Sequence, residues 1–176
     1  MLWISDAWKD YEVLDATAGE RLERWGDYVL VRPDPQVIWN TPRTAFEWKR
    51  YDARYVRSNT GGGRWTDHDL PERWQIKYKD YLTFNVKPMN FKHTGVFPEQ
   101  AANWDFIREK VSFAGRPVRV LNLFAYSGGA TLAAAAGQES HPSAFCLANS
   151  STRGRSPTSF TIRSLVSFGF LLCSSI

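Results

Sequence analysis

The stretch Val118-Arg119-Val120-Leu121-Asn122-Leu123-Phe124-Ala125-Tyr126-Ser127-Gly128-Gly129-Ala130-Thr131-Leu132-Ala133-Ala134-Ala135-Ala136-Gly137 decides the fold. Its first seven residues form a short apolar run rich in β-branched and bulky side chains, the pattern of a buried parallel strand. Ala125 to Gly129 turns sharply. The alanine-rich segment that follows is built of strong helix formers, and Gly137 is placed to cap it. A strand, a glycine loop and a helix in this order leave backbone without Cβ at Gly128 and Gly129, where a ligand can approach closely. The free N–H groups at the helix start can receive a carboxylate or phosphate. Only two adjacent glycines occur, so the spacing is not the dinucleotide G-x-G-x-x-G.

Upstream, Pro98 suits a first helical position and Glu99 suits the positive end of the helix dipole. A helix is predicted from Pro98 to about Ala114, with Ala101, Trp104, Ile107, Lys110 and Val111 near one face. Gly115-Arg116-Pro117 ends it. Before it, residues 85–104 read as a strand, a tight turn and the helix start. Tyr11–Asp15, Tyr28–Arg32, Ala53–Arg57, Trp74–Tyr78 and Leu82–Lys87 read as strands of an antiparallel β-rich region. Arg32-Pro33-Asp34-Pro35 and Thr60-Gly61-Gly62-Gly63 punctuate it. The triple glycine reads as a plain hairpin loop, because neither Lys-Ser/Thr nor a helical pattern follows it.

Composition divides the chain more sharply than its average suggests. The net charge is +4, from 22 basic and 18 acidic residues. All the acidic residues precede Ser140, so residues 1–139 are near neutral and the basic excess sits mainly in a Ser-rich segment beyond. A folded body near neutrality removes the global-charge argument for a nucleic-acid partner. The segment Trp48 to Arg57 interleaves basic and aromatic residues, as a strand that grips phosphates and stacks bases requires. The other reading, which alternation favours, has the aromatics in the core and the arginines in water. Cys146 and Cys173 lack metal-type spacing, so neither a zinc site nor a disulfide framework is expected. No apolar run approaches a membrane span and no basic leader opens the chain, which points to the cytoplasm.

The segments "ERWGDYVLVRPDPQVIW", "RWQIKYKDYLTFNVKPMNFKHTGVFPEQAANW" and "VRVLNLFAYSGGATLAAAAG" resemble the class I S-adenosylmethionine-dependent methyltransferases similar to bacterial 23S ribosomal RNA large-subunit methyltransferases. The resemblance covers about residues 10–137. It implies an α/β fold: an N-terminal antiparallel β-rich region over 1–90, then over 91–138 the first helix, strand, glycine loop and helix of an incomplete Rossmann-like sheet. Residues 139–176 would be a non-homologous, disordered tail.

It further implies methyl transfer from S-adenosylmethionine to a base of ribosomal RNA. Lys92, Thr94, Gly95, Phe97 and Gln100 would line the cofactor pocket, and Asn122, Phe124, Tyr126, Ser127, Gly128 and Gly129 would carry the glycine-loop contacts. No catalytic residue is implied. Two features depart from the pattern: no acidic residue follows Glu139 to bind the ribose hydroxyls, and no Asp-Pro-Pro-type motif builds a target-base pocket. The change of composition after Gly137 reads as a chain cut short or shifted in reading frame, with activity impaired or lost.

Overall fold

The computed structural model describes residues 3–66, 69–89, 91–116, 118–123 and 126–138, together with the backbone of 147–148 and 170–172. Two compact units form, Asp6–Val96 and, separately, Met1–Ser5 with Phe97–Ile176. Phe124, both cysteines and most of the Ser-rich segment lie outside the described residues.

In the first unit, five strands pair in sequence order: β1 (Tyr11–Thr17), β2 (Glu20–Trp25), β3 (Tyr28–Pro33), β4 (Ala53–Arg57) and β5 (Gly63–Thr66). All neighbours are antiparallel except β3 and β4, which run parallel across the long connection that holds the 3-10 turn Phe46–Lys49. A separate hairpin joins β6 (Trp74–Tyr78) to β7 (Leu82–Val86). The five strands predicted here are all present, and β2 and β5 are additions.

Aromatic rings fill this unit. Trp8 packs on Tyr78 at 4.8 Å between centroids, Tyr11 on Trp25 at 4.8 Å and Tyr28 on Trp74 at 5.0 Å. Such tilted and edge-on pairs contribute beyond their buried area. The Trp74 indole N–H also donates to the Trp25 carbonyl at 2.9 Å, which ties the hairpin to the sheet.

One ion pair lies inside this core. Glu23 is fully buried on β2 and receives two hydrogen bonds from Arg32 of β3, at 2.5 and 2.7 Å. The Tyr11 hydroxyl donates to the same carboxylate at 2.7 Å. Burial alone would raise the Glu23 carboxyl, but the Arg32 guanidinium outweighs it and holds the pKa below the usual carboxylate range. Burial, followed by the Glu23 charge, pushes the Tyr11 phenol well above its ordinary value.

The Trp48–Arg57 segment is not one strand. Trp48 sits in the 3-10 turn and is buried against Leu22 and Val31, and only Ala53–Arg57 is extended. Tyr55 faces the core; Arg54 reaches Glu20 at 2.7 Å. Arg43, from the preceding loop, also pairs with Glu20 and covers the Trp48 ring. The core-facing reading of the aromatics therefore holds.

In the second unit, Pro98–Gln100 makes a 3-10 turn that leads into α1 (Ala101–Ser112). Ala101, Trp104, Ile107 and Val111 are its buried residues, while Lys110 turns outward over the Phe106 ring. A three-residue strand β8 (Val120–Asn122) precedes α2 (Gly129–Gly137). The core is Ile107, Val111, Val118, Val120 and Ala134. Two short pieces of the segment expected to lack order are strands: β9 (Leu147–Ala148) runs parallel to β8 and β10 (Phe170–Leu172) antiparallel to it.

Gly137 is not a left-handed cap. It is the last residue of α2, and a Cβ there would stand 2.7 Å from the Arg108 carbonyl oxygen and 2.9 Å from the Val111 Cβ. The glycine lets the two helices approach.

Candidate functional site

The glycine loop takes shape from backbone conformation. Tyr126 and Gly128 both adopt left-handed φ, +42° and +83°, and the second is free of strain only because it is glycine. A Cβ on Gly128 would meet nothing within 4 Å, so the space beside it is open. Gly129 differs. Its missing Cβ is replaced by the Trp104 indole, whose nearest atoms would stand 2.8 Å away. The pair Gly128-Gly129 thus divides two tasks, one conformational and one of packing, where the sequence suggested ligand approach at both.

The first helical hydrogen bond of α2 runs from the Leu132 N–H to the Gly128 carbonyl at 2.9 Å. The N–H groups of Gly129, Ala130 and Thr131 precede it and have no partner inside the helix. Together with the aligned peptide dipoles they form a place for an anion. Asn122, at the end of β8, is buried and donates from Nδ2 to the Thr131 hydroxyl at 2.8 Å. Asn122 therefore clasps strand to helix. Ser127 is half-buried between the two left-handed residues.

Phe97 and Tyr126 stack with centroids 4.7 Å apart and planes inclined by 36°. This contact joins two residues that stand in different motifs of the sequence. Gln100 lies at the start of α1, where its side-chain oxygen accepts from Asn103 at 2.9 Å. Trp104, Thr131 and Gln138 were not singled out as site residues. Gln138 donates to the Val118 carbonyl at 2.9 Å and so fixes α2 to the start of the strand segment. Only the burial pattern of α1 pointed to Trp104, and nothing in the sequence pointed to its partner.

Lys92, Thr94 and Gly95 belong to the Asp6–Val96 unit. The Lys87 N–H donates to the Thr94 carbonyl and the Met89 N–H to the His93 carbonyl, so the chain folds back after β7. Arg32 donates to the Lys92 carbonyl at 3.1 Å, and the Lys92 ammonium returns a bond to the Pro33 carbonyl at 3.2 Å. Burial lowers the Lys92 pKa, while the nearby Asp34 carboxylate works against that. The Thr94 hydroxyl is fully buried and has no hydrogen-bond partner among the described residues. A buried polar group left so costs roughly 1–3 kcal/mol unless a ligand or water completes it. Gly95 has φ +100°, and a Cβ there would meet only ordinary contact at 3.8 Å. Its requirement is conformational.

A scan of family models gives no match, and no curated protein matches the chain. Solved structures do match. Over 74% of this chain and 42% of the other, it is 37% identical to a SAM-dependent methyltransferase from Agrobacterium tumefaciens, with a TM-score of 0.68. A Streptococcus mutans protein assigned to the SAM-dependent methyltransferases is 20% identical, with a TM-score of 0.52, over 75% of this chain and 37% of that one. A methyltransferase-type structure complexed with SAH, also 20% identical, has a TM-score of 0.50 over the same shares. The latter two speak to fold alone. The chain spans less than half the length of the structures it matches.

Proposed function

We propose, for a chain similar in fold and sequence to a SAM-dependent methyltransferase, that it carries the first cofactor-contacting elements of an enzyme that methylates an RNA base of the ribosomal type. The observation that carries this reading is the loop Tyr126–Gly129. It opens α2 with N–H groups that have no partner inside the helix, beside an unobstructed Gly128. The residues present fit the cofactor. The α2 start would hold the methionine carboxylate, and the Phe97–Tyr126 stack offers an aromatic wall. Gln100, at the start of α1 in the same unit, would add a polar contact.

The chemistry that the cofactor supplies is an already activated methyl group on a sulfonium. The task of the chain is therefore alignment rather than covalent catalysis. Tyr126 and Gly128 fix the loop, Asn122 and Thr131 hold strand and helix in register, and Trp104 braces Gly129.

Photo-crosslinking with radiolabelled S-adenosylmethionine tests the reading. Label on peptides covering residues 122–132, removed by excess S-adenosylhomocysteine, supports it. Label that S-adenosylhomocysteine does not displace contradicts it.

A further inference from the structure

Five arginines of the Asp6–Val96 unit are committed to ion pairs. Arg21, Arg24, Arg32, Arg43 and Arg54 each pair with an acidic side chain. Arg64 and Lys87 make no ion pair among the described residues, and both are exposed. They flank one groove of about 550 Å³, which Trp65, Leu70, Pro71 and Met89 also line. The groove thus carries two cations and one carboxylate, Glu72, beside the apolar side chains of Trp65, Leu70, Pro71 and Met89.

Trp65 is held in place within it. Its indole N–H donates to the Met89 carbonyl at 2.9 Å, and its ring stands edge-on to the buried Tyr55 at 5.5 Å. The strand that carries it hugs its neighbour: a Cβ on Gly63 would stand 2.3 Å from the Val56 carbonyl oxygen. A ring fixed in this way loses little freedom when a flat partner stacks on it. Glu72, at the same groove, can accept from an exocyclic amine of a base.

We infer that this groove is a docking site for an unpaired nucleotide of single-stranded RNA, with the base on Trp65 and the flanking phosphates at Arg64 and Lys87. A base inside a duplex does not offer its face, so the single strand is the form that fits. The inference rests on the RNA reading above, and moves it from the Trp48–Arg57 stripe, whose aromatics Trp48 and Tyr55 are committed to the core, to the edge strand β5 and the turn after β7.

The test is fluorescence anisotropy of a labelled oligouridylate with the full chain, at low and moderate salt, beside calorimetry with S-adenosylhomocysteine. Binding that weakens with salt is expected. Trp65→Ala should weaken it about tenfold and Trp65→Phe much less. Arg64→Glu and Lys87→Glu, at exposed positions, should each weaken it and flatten the salt dependence. S-adenosylhomocysteine binding should not change in any of these variants. Absence of binding by the unaltered chain at low salt, or binding by Trp65→Ala and both charge reversals equal to that of the unaltered chain, overturns the inference. So does displacement of the RNA by polyglutamate at equal charge, which would mark a site for acidic protein. Loss of S-adenosylhomocysteine binding with the RNA results intact would instead strike the cofactor reading and leave the groove standing.

Discussion

Replacing Glu23 by Leu should be the most damaging single change in the β-rich unit. The carboxylate is completely buried, takes two bonds from Arg32 and one from Tyr11, and lies 3.9 Å from Arg21. Its removal takes away both of these bonds to the Arg32 guanidinium, which is only 6% exposed. Breaking a buried pair from one side costs about 3–5 kcal/mol, and the unpaired Tyr11 hydroxyl adds about 1 kcal/mol more. Against a total stability of about 5–15 kcal/mol, that loss places Glu23→Leu at the edge of folding. The double variant Glu23→Leu/Arg32→Met removes both charges and should recover most of the loss, because a buried pair replaced by apolar groups is close to neutral. Urea unfolding followed by near-ultraviolet circular dichroism, which reports the aromatic core of this unit, measures the cycle. A Glu23→Leu cost below about 1 kcal/mol, or a double variant no more stable than the single, would refute the reasoning.

The same carboxylate sets a pH dependence. Its folded pKa is depressed, so its stabilisation is present above the unfolded carboxylate value near 4.5 and disappears as pH falls through the lower folded value. The urea midpoint should drop below about pH 4 in the unaltered chain and change less in the double variant. Gly137→Ala opposes two effects: helix propensity favours Ala by about 1 kcal/mol, but the Arg108 backbone oxygen at 2.7 Å cannot move aside, and overpacking costs about 1–3 kcal/mol. A net loss, with faster amide exchange in α1, is expected, and a stabilised variant would show that the helices part easily. Gly63→Ala should open the β4–β5 hairpin, since its Cβ would meet backbone at 2.3 Å. Unchanged exchange protection of Val56 and Arg64 would contradict this.

What could be read from the residues was whatever depends on local pattern. Five strands, the α1 face apart from Lys110, and the strand–glycine loop–helix unit follow from periodicity and turn chemistry, and they are where they were expected. β2 escaped because Leu22 and Trp25 stand at helical spacing among charges. A buried glutamate makes sense only with Arg32, nine residues away, beside it. β5 escaped because it begins in the glycines that close its own hairpin. In the candidate site, the glycine loop was legible as a turn without Cβ at Gly128 and Gly129, whereas the left-handed conformation of Gly128 was not, and the packing reason for Gly129 lives in Trp104 and that for Gly137 in Arg108 and Val111. Close approach between elements distant in sequence leaves no local signal. The Trp48–Arg57 stripe looked continuous because alternation does not register that its first part is a 3-10 turn.

The central claim is that the α2 start and the Tyr126–Gly129 loop form one wall of an S-adenosylmethionine site. Amide chemical shifts in a titration with S-adenosylhomocysteine address it most directly. The account predicts weak, saturable binding with the largest shifts at the N–H groups of Ser127 to Thr131, little change in β1 to β3, and no comparable effect from inorganic phosphate. Shifts that never reach those amides, or that phosphate reproduces in full, would contradict it.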